Sequence, residues 1–367
     1  MKVPPLDLHI QYLSLENELK TAIFKVINNT NFILGKEVQE FEEGFAKFIG
    51  CKNAVGVASG LDALKMSLRA LDIGSGDEVI TAANTFIATA LAISSVGAIP
   101  ALVDVDNAYY NIDVNKIEAA ITPKTKALMP VHLYGQPAQM DSIIRIARKH
   151  NLFIIEDASQ AHGAVYKGKR IGCFGNIAAF SLYPGKNLGA YGDAGILVSD
   201  DDAIADRIRT LRNYGSKTKY YHLSLGENSR LDTIQAAVVN AKLPHLEKWN
   251  DLRRKIAARY SNYLDHVGDL ILPKTYDDCQ HVYHQYVIRT KKRKELMQYL
   301  GENQVGTIIH YPIPIHLQEA YKHMNWKKGD FPVTEALCDE VLSLPMYPEL
   351  TDEQCDYVIE KIKKFFS

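Results

Sequence analysis

Leu152-Phe153-Ile154-Ile155-Glu156-Asp157 decides the fold: an apolar run of strand length that stops on an acid. A helix over Met140 to His150 leads into it, and the same strand–helix rhythm extends upstream. Ala54-Val55-Gly56-Val57-Ala58 reads as a strand, and Leu61, Leu64, Leu68 and Leu71 mark the buried face of the helix after it. Glu78-Val79-Ile80-Thr81 is the next strand, followed by a helix near Thr85 to Val96. Pro100-Ala101-Leu102-Val103-Asp104-Val105 and Lys126-Ala127-Leu128-Met129-Pro130-Val131 are further apolar, turn-bounded strands. Strands separated by helices predict an α/β fold with a mostly parallel sheet covered on both faces. Ligands of such sheets gather at the strand carboxyl ends, where Asp157 stands.

The first fifty residues read as helical, with Phe41, Phe45 and Phe48 on one face of a segment ending at Gly50. Beyond about Leu243 the rhythm breaks. A long helix over Leu246 to Tyr263 leads to isolated strands at Val282–Arg289 and Thr307–His310, with helices near 293–300, 333–343 and 351–366. The expected division is a large α/β domain over 1–245 and a smaller α+β domain over 246–367.

The 367 residues are 47% apolar and 23% charged, an ordinary globular balance with room for a sizeable core. Net charge is −1, so no broad field draws nucleic acid or an anionic membrane, and any anion must be met by a local cluster. The five cysteines are scattered without metal-ligand spacing, which predicts free thiols in a reducing compartment and no metal site. The amino end lacks the apolar core of a signal peptide, and no apolar stretch is long enough to span a bilayer. A cytoplasmic protein without nucleic-acid or membrane partners is expected.

Asp157 acquires chemical meaning from Lys186, which lies in the loop Tyr183-Pro184-Gly185-Lys186-Asn187-Leu188-Gly189. A strand-terminal acid alone can simply cap a helix, and a lone lysine is usually a solvated charge. Together they match what pyridoxal phosphate requires: an amine to hold the cofactor as a Schiff base, and an acid to keep the pyridine nitrogen protonated. A freed Lys186 amine could then shuttle a proton. Ser59-Gly60-Leu61 lies at a strand-to-helix junction, where unpaired N–H groups favour a phosphate, and Ser181 offers a hydroxyl to the same group. Phe86 could stack on the ring. Gln160 could bond its phenolic oxygen, with His162 behind as a supporting or structural residue.

These residues sit in motifs that resemble the DegT/DnrJ/EryC1/StrS group of nucleotide-sugar aminotransferases. The resemblance covers nearly the whole chain. It rests on Ala58-Ser59-Gly60-Leu61-Asp62-Ala63-Leu64, Gly74-Ser75-Gly76-Asp77-Glu78-Val79-Ile80 and Asn84-Thr85-Phe86-Ile87-Ala88-Thr89. Val131-His132-Leu133-Tyr134-Gly135-Gln136-Pro137, Glu156-Asp157-Ala158-Ser159-Gln160-Ala161-His162-Gly163, Arg230-Leu231-Asp232 and His310-Tyr311-Pro312-Ile313-Pro314 continue it. It implies the fold type I architecture and an obligate homodimer with active sites at the subunit interface. It further implies that Asn228 or a neighbour reaches the cofactor phosphate of the partner subunit. The sugar site would be formed by the loop Lys217–Tyr221, with Lys219, together with His310, Tyr311 and Tyr183.

Two departures bear on chemistry. Relatives that dehydrate or deoxygenate the sugar carry histidine where this chain has Lys186, which favours transamination. Leu61 replaces a threonine common in the group, so a backbone contact must serve the phosphate there. The lysine loop and His310-Tyr311-Pro312-Ile313-Pro314 look most like the branch that aminates C3 of dTDP-3-keto-6-deoxyhexoses. The expected reaction takes nitrogen from L-glutamate by way of pyridoxamine phosphate. Amination at C4 of a UDP- or dTDP-sugar, a pyridoxal-phosphate sugar dehydratase and a non-catalytic cofactor-binding regulator are the alternatives.

Overall fold

The computed structural model describes residues 1–367. Its centre is a seven-stranded sheet in the order 53–57, 195–199, 177–181, 153–157, 125–129, 78–82, 99–103. The last five run parallel, as the strand–helix alternation predicts, while Gly195–Ser199 runs antiparallel to both its neighbours. That reversal matters for function. It turns Asn53–Val57 back into the direction of the parallel block, so its carboxyl end opens on the same side as Asp157 and Ser181.

The inner strands are buried on both faces, and successive side chains enter opposite cores. Ile154, Ala178 and Ile196 join a cluster with Phe41 and Phe45 of the helix Lys36–Ile49. Ile155, Ala179 and Leu197 join another with Leu64 and Leu68 of the helix Gly60–Ala70. Each fully buried aliphatic side chain contributes about 1.5–3 kcal/mol, so this double packing is what fixes the strand ends in place.

The carboxyl-terminal region has its own core around Tyr260, Tyr286, Leu296, Leu344 and Val358. Val3 joins it, pairing alongside Val305. We keep the division at residue 245 as a proposal, with the amino end reaching across it.

Three expected elements differ here. The strand expected at Val282–Arg289 is confined to Tyr286–Arg289, because the residues before it turn to the large domain: Val282 and Gln285 donate to the carbonyls of Gly135 and Tyr134. Thr307–His310 is not a strand, and only Ile308 forms a bridge, to Ser343. The helix expected over 333–343 ends at Glu340, and Val341–Leu344 pairs antiparallel with Tyr286–Arg289. All four residues of that strand are buried, and tertiary pairing overrides the helical pattern. No helix is long and apolar enough to cross a membrane.

Candidate active site

The carboxyl ends of the sheet and the carboxyl-terminal region enclose a cavity of about 470 Å³. Asp157 lies on its floor, 4% exposed. One carboxylate oxygen accepts from the Thr89 hydroxyl at 2.8 Å and the other from the Ser159 N–H at 3.2 Å. Thr85 stands 3.0 Å behind Thr89, hydroxyl to hydroxyl. The acid is therefore oriented from two sides and does not merely cap the next turn.

Lys186 enters the same cavity from a loop that has little freedom. A side chain at Gly189 would place its first carbon 2.2 Å from the Pro184 carbonyl, so only glycine closes the turn. Asn187 donates to Asn250 at 2.9 Å and to the Val282 carbonyl at 3.0 Å, and the buried Lys242 ammonium donates to the Gly189 carbonyl at 2.8 Å. Burial lowers the Lys186 amine to a pKa of about 8, against the opposing pull of the Asp157 charge. Such an amine is deprotonated far more readily than an ordinary lysine, which brings the neutral form that a nucleophile and proton carrier needs within reach near physiological pH.

A third group lies where the strands 53–57, 177–181 and 195–199 come together. Ser59 caps the helix Gly60–Ala70, its hydroxyl accepting from the Asp62 N–H at 3.1 Å. A side-chain carbon on Gly60 would stand 2.5 Å from Ser181 Cβ, so the helix start and the Ser181 hydroxyl converge only because residue 60 is glycine. Free N–H groups at a helix start, flanked by two serines, form an anion cradle. The cavity thus offers an anion site, a Lys–Asp pair and an aromatic wall. In that wall Phe86 meets Tyr311 at 5.2 Å between ring centres.

A sequence profile described as the DegT/DnrJ/EryC1/StrS aminotransferase family matches residues 14–363. The chain belongs to this family. It is 48% identical to a pleiotropic regulatory protein of Geobacillus stearothermophilus, over 100% of this chain and 99% of that one. It is also 48% identical to the dTDP-3-amino-3,6-dideoxy-alpha-D-galactopyranose transaminase of Aneurinibacillus thermoaerophilus, over 99% of each. A UDP-N-acetyl-3-dehydro-alpha-D-glucosamine 3-aminotransferase of Acidithiobacillus ferrooxidans is 45% identical, over 99% of this chain and 97% of that one. Among solved structures, DesV of S. venezuelae in complex with a ketimine intermediate superposes with a TM-score of 0.98 at 45% identity, covering 100% and 99% of the two chains.

This member of the DegT/DnrJ/EryC1/StrS family is an aminotransferase of fold type I, and its cofactor is pyridoxal phosphate. The residues fit that group. The cradle of Ser59, Gly60 and Ser181 suits a phosphate, Asp157 suits a ring nitrogen, and Lys186 is the one lysine among the residues lining the cavity.

Eleven of the expected site residues line the cavity: Ser59, Gly60, Leu61, Phe86, Asp157, Gln160, Ser181, Tyr183, Lys186, His310 and Tyr311. Two do not. Asn228 is exposed and bridges to Asn213, and Lys219 stands in solvent with its ammonium 5.1 Å over the Tyr220 ring. Gln160 is tied on both sides, donating to the Tyr311 hydroxyl at 3.1 Å and accepting from the Tyr134 N–H at 2.6 Å. His162 sits behind the site, its ring nitrogens sealed from solvent and unpaired. Burial, with help from the Lys186 charge, pushes its pKa down to about 3.

Several lining residues escaped the sequence reading. Thr89 had a legible signal, since it stands one helical turn from Thr85 beside the Phe86 motif. His284, Met346, Pro5 and Leu6 had none, because tertiary packing alone brings them here.

Proposed function

We propose that this aminotransferase converts a dTDP-3-keto-6-deoxyhexose to the dTDP-3-amino-3,6-dideoxyhexose, with L-glutamate as donor, as a cytoplasmic homodimer with shared active sites. The coarser statement, transamination of a nucleotide-linked sugar, follows from the family and its relatives. One observation carries the chemistry: a Lys186 amine with a pKa near 8 enters the cavity that Asp157 floors.

Pyridoxal phosphate, when bound, supplies an electron sink for the carbon that loses its proton. The chain supplies the rest. Lys186 would take the proton from the donor carbon and return it. Asp157, fixed by Thr89 and Ser159, would face the ring nitrogen. Ser59, Gly60 and Ser181 would hold the phosphate, and Phe86, Tyr311 and Gln160, with Tyr311 touching the other two, would wall the ring. Tyr183, 59% exposed at the mouth, and His310 are placed to meet the sugar. Asn228 and Lys219, outside their own cavity, are assigned to the site of the partner subunit.

Amination at C3 is supported by relatives whose names specify that carbon on both dTDP- and UDP-linked sugars. A UDP-linked 3-keto sugar is therefore the second reading. Incubating the enzyme with isotope-labelled glutamate and each keto sugar, and locating the label by NMR, tests the assignment. Label on C3 of the dTDP sugar supports it; label confined to C4, or to a UDP sugar, overturns the substrate.

A further inference from the structure

At the end of the sheet opposite the cavity, two cysteines meet. Cys51 precedes the strand Asn53–Val57 and Cys173 lies in the turn before Ile177–Ser181, so both sit where strands begin, while Ser59 and Ser181 lie at the far ends. The two sulfurs are 2.7 Å apart, although 122 positions separate them in the chain. A bonded pair sits at about 2.0 Å, so closing the bond needs only a small displacement.

The surroundings hold the pair in place. Cys51 Sγ is 3.3 Å from the Gly172 carbonyl, and Cys173 Sγ is 3.4 Å from the Ile49 carbonyl. The turn bearing Cys173 is anchored on buried Glu156, whose carboxylate accepts from the N–H groups of Gly172, Phe174 and Gly175 at 3.0, 2.8 and 2.8 Å. A groove of about 400 Å³ reaches Cys173, and Lys169 and Arg170 line it beside that residue. That groove gives a small oxidant access to Cys173, and the Lys169 ammonium favours its thiolate. The hydrogen bond between the two thiols holds Cys173 below the usual thiol range, with Lys169 adding to the effect, and raises Cys51, while burial raises Cys279, Cys338 and Cys355.

We propose that Cys51 and Cys173 are a reversible dithiol–disulfide pair that takes a two-electron oxidant of the peroxide class, with Cys173 attacking and Cys51 resolving. In the first step the Cys173 thiolate attacks a peroxide oxygen. The S–O bond forms as the O–O bond breaks, and hydroxide leaves to become water on taking a proton. Cys51 then attacks the sulfenic sulfur: the S–S bond forms, the S–O bond breaks, and a second water departs with the Cys51 proton. Two thiols and one hydrogen peroxide give one disulfide and two waters.

The test treats the holoenzyme with hydrogen peroxide, blocks remaining thiols with a maleimide after denaturation, and maps peptides by mass spectrometry. The expected result is a fall from five alkylated thiols to three, a peptide pair joined through Cys51 and Cys173, and full recovery with dithiothreitol. In Cys51→Ser, dimedone should label Cys173 instead. Alkylation of both Cys51 and Cys173 at a peroxide dose that already oxidises surface methionine overturns the proposal, as does linkage of Cys173 to any other cysteine. The mapping uses the native sequence, so a variant that fails to fold leaves the test intact.

Discussion

The cavity wall at the sheet and the hairpin proposed to reach a partner's site are held in opposite ways. On the sheet side, each group proposed to meet the cofactor is fixed by its own chain: Asp157 by Thr89 and Ser159, Gln160 by Tyr134 and Tyr311, the lysine loop by Asn187 and Lys242. The hairpin formed by Ser216–Thr218 and Tyr221–His222 has almost none of this. Tyr220 is 80% exposed and Leu225, just beyond it, 88%. Large apolar side chains gathered in water mark a surface built to meet a partner. On the proposed reading, cofactor chemistry is preorganised within one chain, whereas sugar recognition is completed by a second copy.

The strongest way to break the first half of that comparison is at Lys186. Lys186→Ala is expected to lower steady-state transamination by at least about 10²–10⁴-fold, measured by 2-oxoglutarate release. Turnover near the parent rate would sink the assignment. Asp157→Asn keeps the shape and the Thr89 contact but removes the charge. Losing a charge-assisted contact of about 1.5–3 kcal/mol predicts a roughly ten- to hundredfold fall in kcat, with the KM of the sugar little changed.

Lys219→Ala sharpens the second half. A single charged contact to the substrate predicts a KM for the nucleotide sugar raised about tenfold, with the half-reaction with glutamate unaffected. If both substrates suffer equally, the hairpin is not a sugar element.

The smallest expected effect is on stability. The folded Lys186 amine has a pKa lowered to about 8, whereas an unfolded lysine titrates near about 10.4. Between these values the unfolded chain binds the extra proton, so cofactor-free protein gains stability as pH rises through that window; below it both states are charged and the gain is absent. Lys186→Met should flatten this rise in Tm by on the order of one to a few degrees relative to the parent. Lys242, lowered by burial to about 8 as well, is common to both proteins and cancels.

The sequence made much of the sheet side legible because its chemistry follows strand ends. Asp157, Ser59 and Ser181 each stand at or just beyond an apolar run, and Lys186 stands among glycines that only a tight loop explains. Ile177–Ser181, with alanines at its centre, and Gly195–Ser199, which opens on a glycine, escaped recognition as strands. Their antiparallel pairing, which brings Ser59 to Ser181, could not be read from periodicity. The carboxyl-terminal region was read less well for the same physical reason. Val341–Leu344 becomes a strand only because Tyr286–Arg289 lies beside it, and His284 and Met346 reach the cavity only after that region docks.

The most direct measurement is a half-reaction followed in the visible spectrum. Enzyme converted to its pyridoxamine form would be mixed separately with dTDP-3-keto-6-deoxyglucose, its galactose epimer and a UDP-4-keto sugar. The account predicts return of the pyridoxal absorbance with one of the 3-keto sugars, which also names the epimer. A response to the 4-keto sugar alone would leave Asp157 and Lys186 in their roles and contradict amination at C3.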